Sequence, residues 1–171
     1  MPRNVEIKAR LRDPRGAARA IDRLADGPAE LIEQHDTFYR TAAGRLKLRR
    51  FPDGRGELIA YDRPDQPGPK TSRYRLYRTV DAVALGAVLS ASLASAGEVR
   101  KRRWLSLIGR TRVHRDEVAG LGDYLELEVV LAPDEPEAAA EAEARRLLAD
   151  LGVADGDLVS GAYVDLLAGT A

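Results

Sequence analysis

In eight short segments of this chain, apolar and charged residues alternate one for one. The segments lie near residues 3–12, 34–40, 44–51, 56–63, 72–79, 98–108, 110–118 and 123–131. A period of two marks a β-strand, because successive side chains point to opposite faces. In the first segment Val5, Ile7, Ala9 and Leu11 share one face, and Asn4, Glu6, Lys8 and Arg10 the other. Leu46 and Leu48 oppose Arg45, Lys47 and Arg49; Leu125, Leu127 and Val129 oppose Glu126 and Glu128. Gly44, Asp53-Gly54, Gly109 and Gly120-Leu-Gly122 supply turns between segments. Strands joined by tight turns are antiparallel. Eight of them can close into a barrel with an interior that is filled or ligand-sized.

Helical spacing appears in four places. Asp13 can cap a helix with Pro14 in its first turn and Ala18, Ile21, Leu24 and Ala25 on one face. Asp81 can cap a second, through Leu85, Val88, Leu89 and Leu93 to Gly97. Asp134 can cap a third, with Glu137 in an Asp-x-x-Glu arrangement, Leu147, Leu148 and Leu151 on its face, and Gly152 as its stop. A short last helix holds Tyr163, Leu166 and Leu167. The expected class is α+β, an eight-stranded antiparallel closed β-barrel with flanking helices. At 171 residues, with no linker or repeat, residues 1–171 read as one domain.

What the charged faces do has two readings. A sheet often keeps one wet face, and its charges are then solvated. Against this, the charges segregate by kind. Glu6, Glu126 and Glu128 lie on the first and last segments, whereas Lys47, Arg49, Arg63, Lys101, Arg103 and Arg112 lie between them. Residues 99–105 also mix charged and apolar side chains on one face, opposite Trp104. If the charged faces point inward, each charge needs a partner or a ligand, because desolvating it costs several kcal/mol. A polyanion would satisfy the cations, and Arg matches phosphate geometry with its fork. A divalent metal would satisfy the carboxylates. Glu126 and Glu128 at i and i+2 would lie roughly 6–7 Å apart along one strand. A triphosphate with Mg²⁺ or Mn²⁺ meets both demands.

Other classes are disfavoured. Lys+Arg and Asp+Glu number 27 each, so there is no positive surplus for a general nucleic-acid or membrane binder. The chain has no cysteine, which excludes thiolate chemistry. It carries no Gly-rich phosphate loop, so any phosphate binding must use side chains. No apolar run could cross a bilayer and no signal core precedes the first segment, so a cytoplasmic protein is expected.

These residues resemble the CYTH superfamily, also called triphosphate tunnel metalloenzymes, which includes class IV adenylyl cyclases, thiamine triphosphatases and inorganic triphosphatases. The family hallmark Glu-x-Glu-x-Lys corresponds to Asn4-Val-Glu6-Ile-Lys8. Asp36-Thr-Phe-Tyr39, Leu46-Lys-Leu-Arg49, Glu57 to Arg63, Lys101-Arg-Arg103, Arg112-Val-His-Arg-Asp116, Leu121 to Glu128 and Ala162 to Leu167 follow in order. The resemblance implies a tunnel with Glu6, Glu126 and Glu128 holding metal. It implies Lys8, Lys47, Arg49, Arg63, Lys101, Arg103 and Arg112 holding phosphate. Lys8, His114 and Asp116 would assist the chemistry; for His114 a structural hydrogen-bonding role stands equally beside this. Asn4 departs from the hallmark and brings no charge, so a second metal would be held poorly.

A triphosphate pinned this way has two fates. The ribose 3′-oxygen attacks the α-phosphorus, giving cyclic AMP and pyrophosphate, or water attacks the terminal phosphorus. Lys70 to Tyr74 and Gly120 to Tyr124 look closer to the class IV cyclase branch, which also implies a possible homodimer. Hydrolysis of ATP, thiamine triphosphate or tripolyphosphate is the alternative. A binding module without turnover is a third reading, supported by Asn4.

Overall fold

A computed structural model describes residues 3–169. Eight strands and four α-helices follow in chain order, beginning with β1 (Arg3–Arg10), α1 (Pro14–Leu24), β2 (Glu30–Tyr39), β3 (Arg45–Arg50), β4 (Gly56–Asp62) and β5 (Lys70–Thr79). Next come α2 (Ala82–Ser92), β6 (Ser95–Ile108), β7 (Thr111–Val118), β8 (Gly122–Val130), α3 (Glu137–Asp150) and α4 (Tyr163–Ala168). The strands form a closed antiparallel barrel in the order β1-β5-β4-β3-β2-β6-β7-β8. The ring closes through β1 and β8, which pair from Asn4↔Val130 to Arg10↔Tyr124. Closure leaves no exposed edge, which answers the usual aggregation hazard of a large sheet.

The oily core lies outside the ring. Val5 and Ile7 on β1, Val113 on β7, and Leu125, Leu127 and Val129 on β8 are all fully buried. They are covered by Ala17, Ala20 and Ile21 of α1 and by Ala140, Ala144, Leu147 and Leu148 of α3. The alternation therefore sends its apolar half outward to the helices and its charged half inward. Trp104 is on the outer surface, with the Arg115 guanidinium 3.8 Å from its ring centroid.

The expected strands form, with extensions. β2 begins at Glu30 and β6 at Ser95, earlier than alternation indicates. The added residues Glu30, Leu31 and Glu33 are exposed, so no buried face imposes a period there. α2 accordingly stops at Ser92 rather than reaching Gly97. The helix at 137–150 also starts differently from the expectation. Pro136, not Asp134, is its first flanking residue, at φ −64° and ψ 138°. Proline disfavours helical backbone at the residue before it, so the helix does not extend back through Glu135. Pro133 and Asp134 form a turn closed by Glu135 N donating to Ala132 O, with Asp134 at φ 61°.

α4 closes one end of the barrel. Val159 N donates to Lys8 O of β1, and Asp165 meets Arg45 of β3 at 2.8 Å. Val164 packs so closely on β6 that a Cβ at Gly97 would lie 2.7 Å from its Cγ2. Phe38, Val99, Val118, Tyr124, Ala162 and Tyr163 pack together as a floor. At the opposite end Leu76, Leu107 and Arg78 are exposed.

Candidate functional site

The inward charges line one cavity of about 930 Å³. Every cation named from the sequence, Lys8, Lys47, Arg49, Arg63, Lys101, Arg103 and Arg112, lines it, as do Glu6, Glu126, Glu128 and His114. Strand register explains the grouping. Lys8 lies opposite Glu126 and Glu6 opposite Glu128 across β1 and β8. His114 lies opposite Glu126 and Arg112 opposite Glu128 across β7 and β8.

On the β2–β3–β6 wall three cations converge on Asp36. Lys47 Nζ donates to Asp36 Oδ2 at 3.0 Å, Arg49 binds both carboxylate oxygens at 2.9 Å, and Lys101 Nζ stands 3.5 Å away. Burial opposes ionisation, but the charges of Arg49, Lys101 and Lys47 hold the Asp36 carboxyl well below the usual carboxylate range. Burial pushes Lys101 down to about 7 despite Asp36, with Arg49 and Arg103 adding to the effect. Three cations share one carboxylate here, so the wall has an excess of positive charge.

On the facing wall the carboxylates gather. His114, Glu126 and Glu128 each offer a ligand atom, and these atoms lie within 4.8 Å of one another. His114 Nδ1 is buried without a hydrogen-bond partner, 3.8 Å from Glu126 and 3.9 Å from Glu128. Burial and the nearby Arg103 lower the His114 pKa, so its ring is neutral and its nitrogen is available as a ligand. An orphaned imidazole nitrogen beside two carboxylates fits a divalent cation. Lys8 Nζ donates to Glu126 at 3.0 Å, and Arg112 lies 3.1 Å from Glu128.

Glu6 and Asp116 stand apart from the other expected residues. Glu6 faces this group but stands 2.8 Å from Arg63, and burial with Glu126 beside it raises its pKa. The three residues whose candidate ligand atoms lie within 4.8 Å of one another are His114, Glu126 and Glu128, with Glu6 adjacent. Asp116 shares the inward face, yet it is fully buried and does not line the cavity. It accepts both nitrogens of Arg103 at 2.7 and 2.6 Å and the Tyr163 hydroxyl at 2.8 Å. Asn4 lines the cavity with its Oδ1 buried and unpartnered, offering only a neutral oxygen.

Some lining residues are absent from the sequence-based set. Asp36 and Gln34 share the inward parity of β2, and alternation alone could have found them. Tyr163 enters from α4, outside the strand pattern. Toward the mouth the lining mixes apolar Ile32, Phe51, Leu76 and Leu105 with charged Glu57, Arg75 and Arg78. Lys70 is buried with its Nζ 3.1 Å from Gln66 O, and burial pushes it down to about 8.

A closed antiparallel β-barrel with a cation-rich interior and a carboxylate group on one wall defines a small class of folds. The CYTH domain profile matches residues 2–163, and the chain belongs to that family. Its fold is that of PH1012 from Pyrococcus horikoshii OT3, at 19% identity and TM-score 0.82, covering 96% of this chain and 99% of that one. A candidate adenylate cyclase from Vibrio parahaemolyticus aligns at 18% identity and TM-score 0.78, covering 96% and 97%. A candidate adenylyl cyclase from Hippeastrum, described as having a dominant triphosphatase activity, aligns at 17% and TM-score 0.68, covering 98% and 96%. No curated protein sequence matches the chain. Among the described residues no helix is long and apolar enough to cross a membrane.

Proposed function

We propose that this protein is a divalent-metal-dependent enzyme that binds an organic triphosphate in the barrel and cyclises it, as a class IV adenylyl cyclase does with ATP. The observation that carries the reading is the pairing of two walls in one cavity: an excess of cations around Asp36, facing His114, Glu126 and Glu128. Lys47, Arg49, Lys101 and Arg103 bind phosphate oxygens and hold the chain of phosphates in place. Lys8, paired with Glu126, and Arg63, paired with Glu6, sit between the walls and neutralise charge as it moves among the phosphates. His114, Glu126 and Glu128 hold Mg²⁺ or Mn²⁺, which when bound supplies charge neutralisation and polarises a phosphoryl oxygen. The apolar side chains at the mouth, Phe51, Leu76 and Leu105, receive the nucleoside and orient its 3′-hydroxyl, so positioning does most of the work.

Hydrolysis of the same substrate, or of thiamine triphosphate or tripolyphosphate, is the second reading. It is favoured by the triphosphatase activity described for the Hippeastrum protein of the same fold. The test incubates the protein with Mn²⁺ or Mg²⁺ and each triphosphate in turn. Cyclic AMP with pyrophosphate supports cyclisation; orthophosphate supports hydrolysis. Tight triphosphate binding with no product from any of them would make the protein a binding module. A homodimer is proposed on the class IV resemblance alone, and sedimentation would test it.

A further inference from the structure

α4 contributes one side chain to the charged interior, and its contacts reach past the floor. The Tyr163 hydroxyl donates to Asp116 Oδ2 at 2.8 Å. That carboxylate takes both Arg103 nitrogens, Nε at 2.7 Å and Nη2 at 2.6 Å. Arg103 Nη2 then reaches Glu126 Oε2 at 2.8 Å, the carboxylate shared with Lys8. The ring of Tyr163 lies beneath Lys8, whose Nζ is 4.2 Å from its centroid, and meets the edge of Tyr124 at 5.2 Å. The helix cannot drift, because Val164 abuts Gly97 and Asp165 is tied to Arg45.

Two features set this apart from floor packing. The hydroxyl points at a carboxylate rather than into the apolar cluster. And Asp116 is 0% exposed and does not line the cavity, whereas Arg103, which it holds at two nitrogens, does. A guanidinium held at both nitrogens by a fixed carboxylate presents its remaining N–H groups in one direction, and a phosphate oxygen needs that direction.

We propose that Tyr163 is a positioning residue: from the C-terminal helix it fixes Asp116, and through it the Arg103 guanidinium, in the orientation that meets a phosphate. This rests on the triphosphate reading of the cavity. Tyr163→Phe keeps the ring, the floor and the Lys8 contact, and removes only the hydroxyl.

The test is a double-mutant cycle on binding of inorganic tripolyphosphate without metal, followed by calorimetry on wild type, Y163F, R103A and the double variant. Y163F is expected to weaken binding about tenfold or more, the size of one lost hydrogen bond to a charged group. In the R103A background the same change is expected to alter binding less than about twofold, since residues acting through one another are not additive. An unchanged affinity in Y163F, or an equal loss in both backgrounds, overturns the positioning role and leaves the triphosphate reading intact. If R103A binds tripolyphosphate like wild type, this role fails while the triphosphate reading stands; if wild type itself does not bind tripolyphosphate, the triphosphate reading fails and this role with it. Should Y163F prove unfolded by its thermal transition, D116N in the same cycle carries the test, with the same outcomes deciding.

Discussion

Asp36 shows how the cavity stays folded without a ligand. Its carboxylate is 1% exposed and answers Lys47, Arg49 and Lys101 together. Asp36→Asn keeps the shape and removes the charge. Losing one partner of a buried ion pair costs about 3–5 kcal/mol, so the melting temperature should fall. Tripolyphosphate can supply the missing negative charge. Its stabilising shift in a thermal titration should be larger for D36N than for wild type; a smaller shift would count against the cation wall as its site.

On the opposite wall Glu126 and Glu128 separate by their other duties. Glu126 also answers Lys8 and Arg103, whereas Glu128 answers Arg112 near the mouth. Glu128→Gln is therefore the cleaner probe. It should weaken Mn²⁺ binding by about tenfold or more, as loss of a hard oxygen ligand does, with little change in urea stability. Unaltered Mn²⁺ affinity, read by electron paramagnetic resonance, would exclude His114, Glu126 and Glu128 as the ligand group.

Lys101 gives the site a pH signature. Its pKa in the fold is about 7, below its ordinary 10.5. The unfolded chain thus holds this proton between those values and the folded one does not, so stability from this group rises with pH from about 7 to 10.5. A bound triphosphate restores the charged form. Tripolyphosphate binding at pH 8 should take up protons, and its affinity should fall as pH rises toward 10. Calorimetry in two buffers of different ionisation enthalpy measures the uptake; none, or release, would contradict this placement of Lys101.

Among the elements, α2 has two unequal faces. Gly86 approaches Leu48 of β3, which is 1% exposed, while Val83 and Val88 on the outer side are 70% and 66% exposed. Leu48→Ala should cost about 2–5 kcal/mol in urea unfolding, the range for a truncated core leucine. Val83→Ala should stay within about 0.5 kcal/mol, as surface changes do. Similar losses at both positions would mean that the outer face is covered.

The barrel and most of its interior were legible because one pattern encodes both. A run such as Arg45-Leu-Lys-Leu-Arg states the strand, its faces and its cations together. Register between strands is not written in any single segment. That Glu6 falls beside Arg63 while His114 joins Glu126 and Glu128 depends on how β1, β7 and β8 align. Depth is likewise invisible: Asp116 has the parity of His114 but lies behind Arg103. Asp134 misled because Pro136 overrides a good capping residue, and Tyr163 escaped because a helix, not a strand, delivers it.

Ala162 and Tyr163 line the floor end of the cavity, so the proposed triphosphate would enter, and its products would leave, at the other end. A triphosphate lying with its organic group against the apolar side chains of the mouth would place its inorganic tail innermost. After cleavage the organic product must depart before the inorganic one can follow. Steady-state kinetics should then show the inorganic product as a competitive inhibitor against the triphosphate, because it is last out and leaves the free enzyme behind. The organic product should inhibit non-competitively.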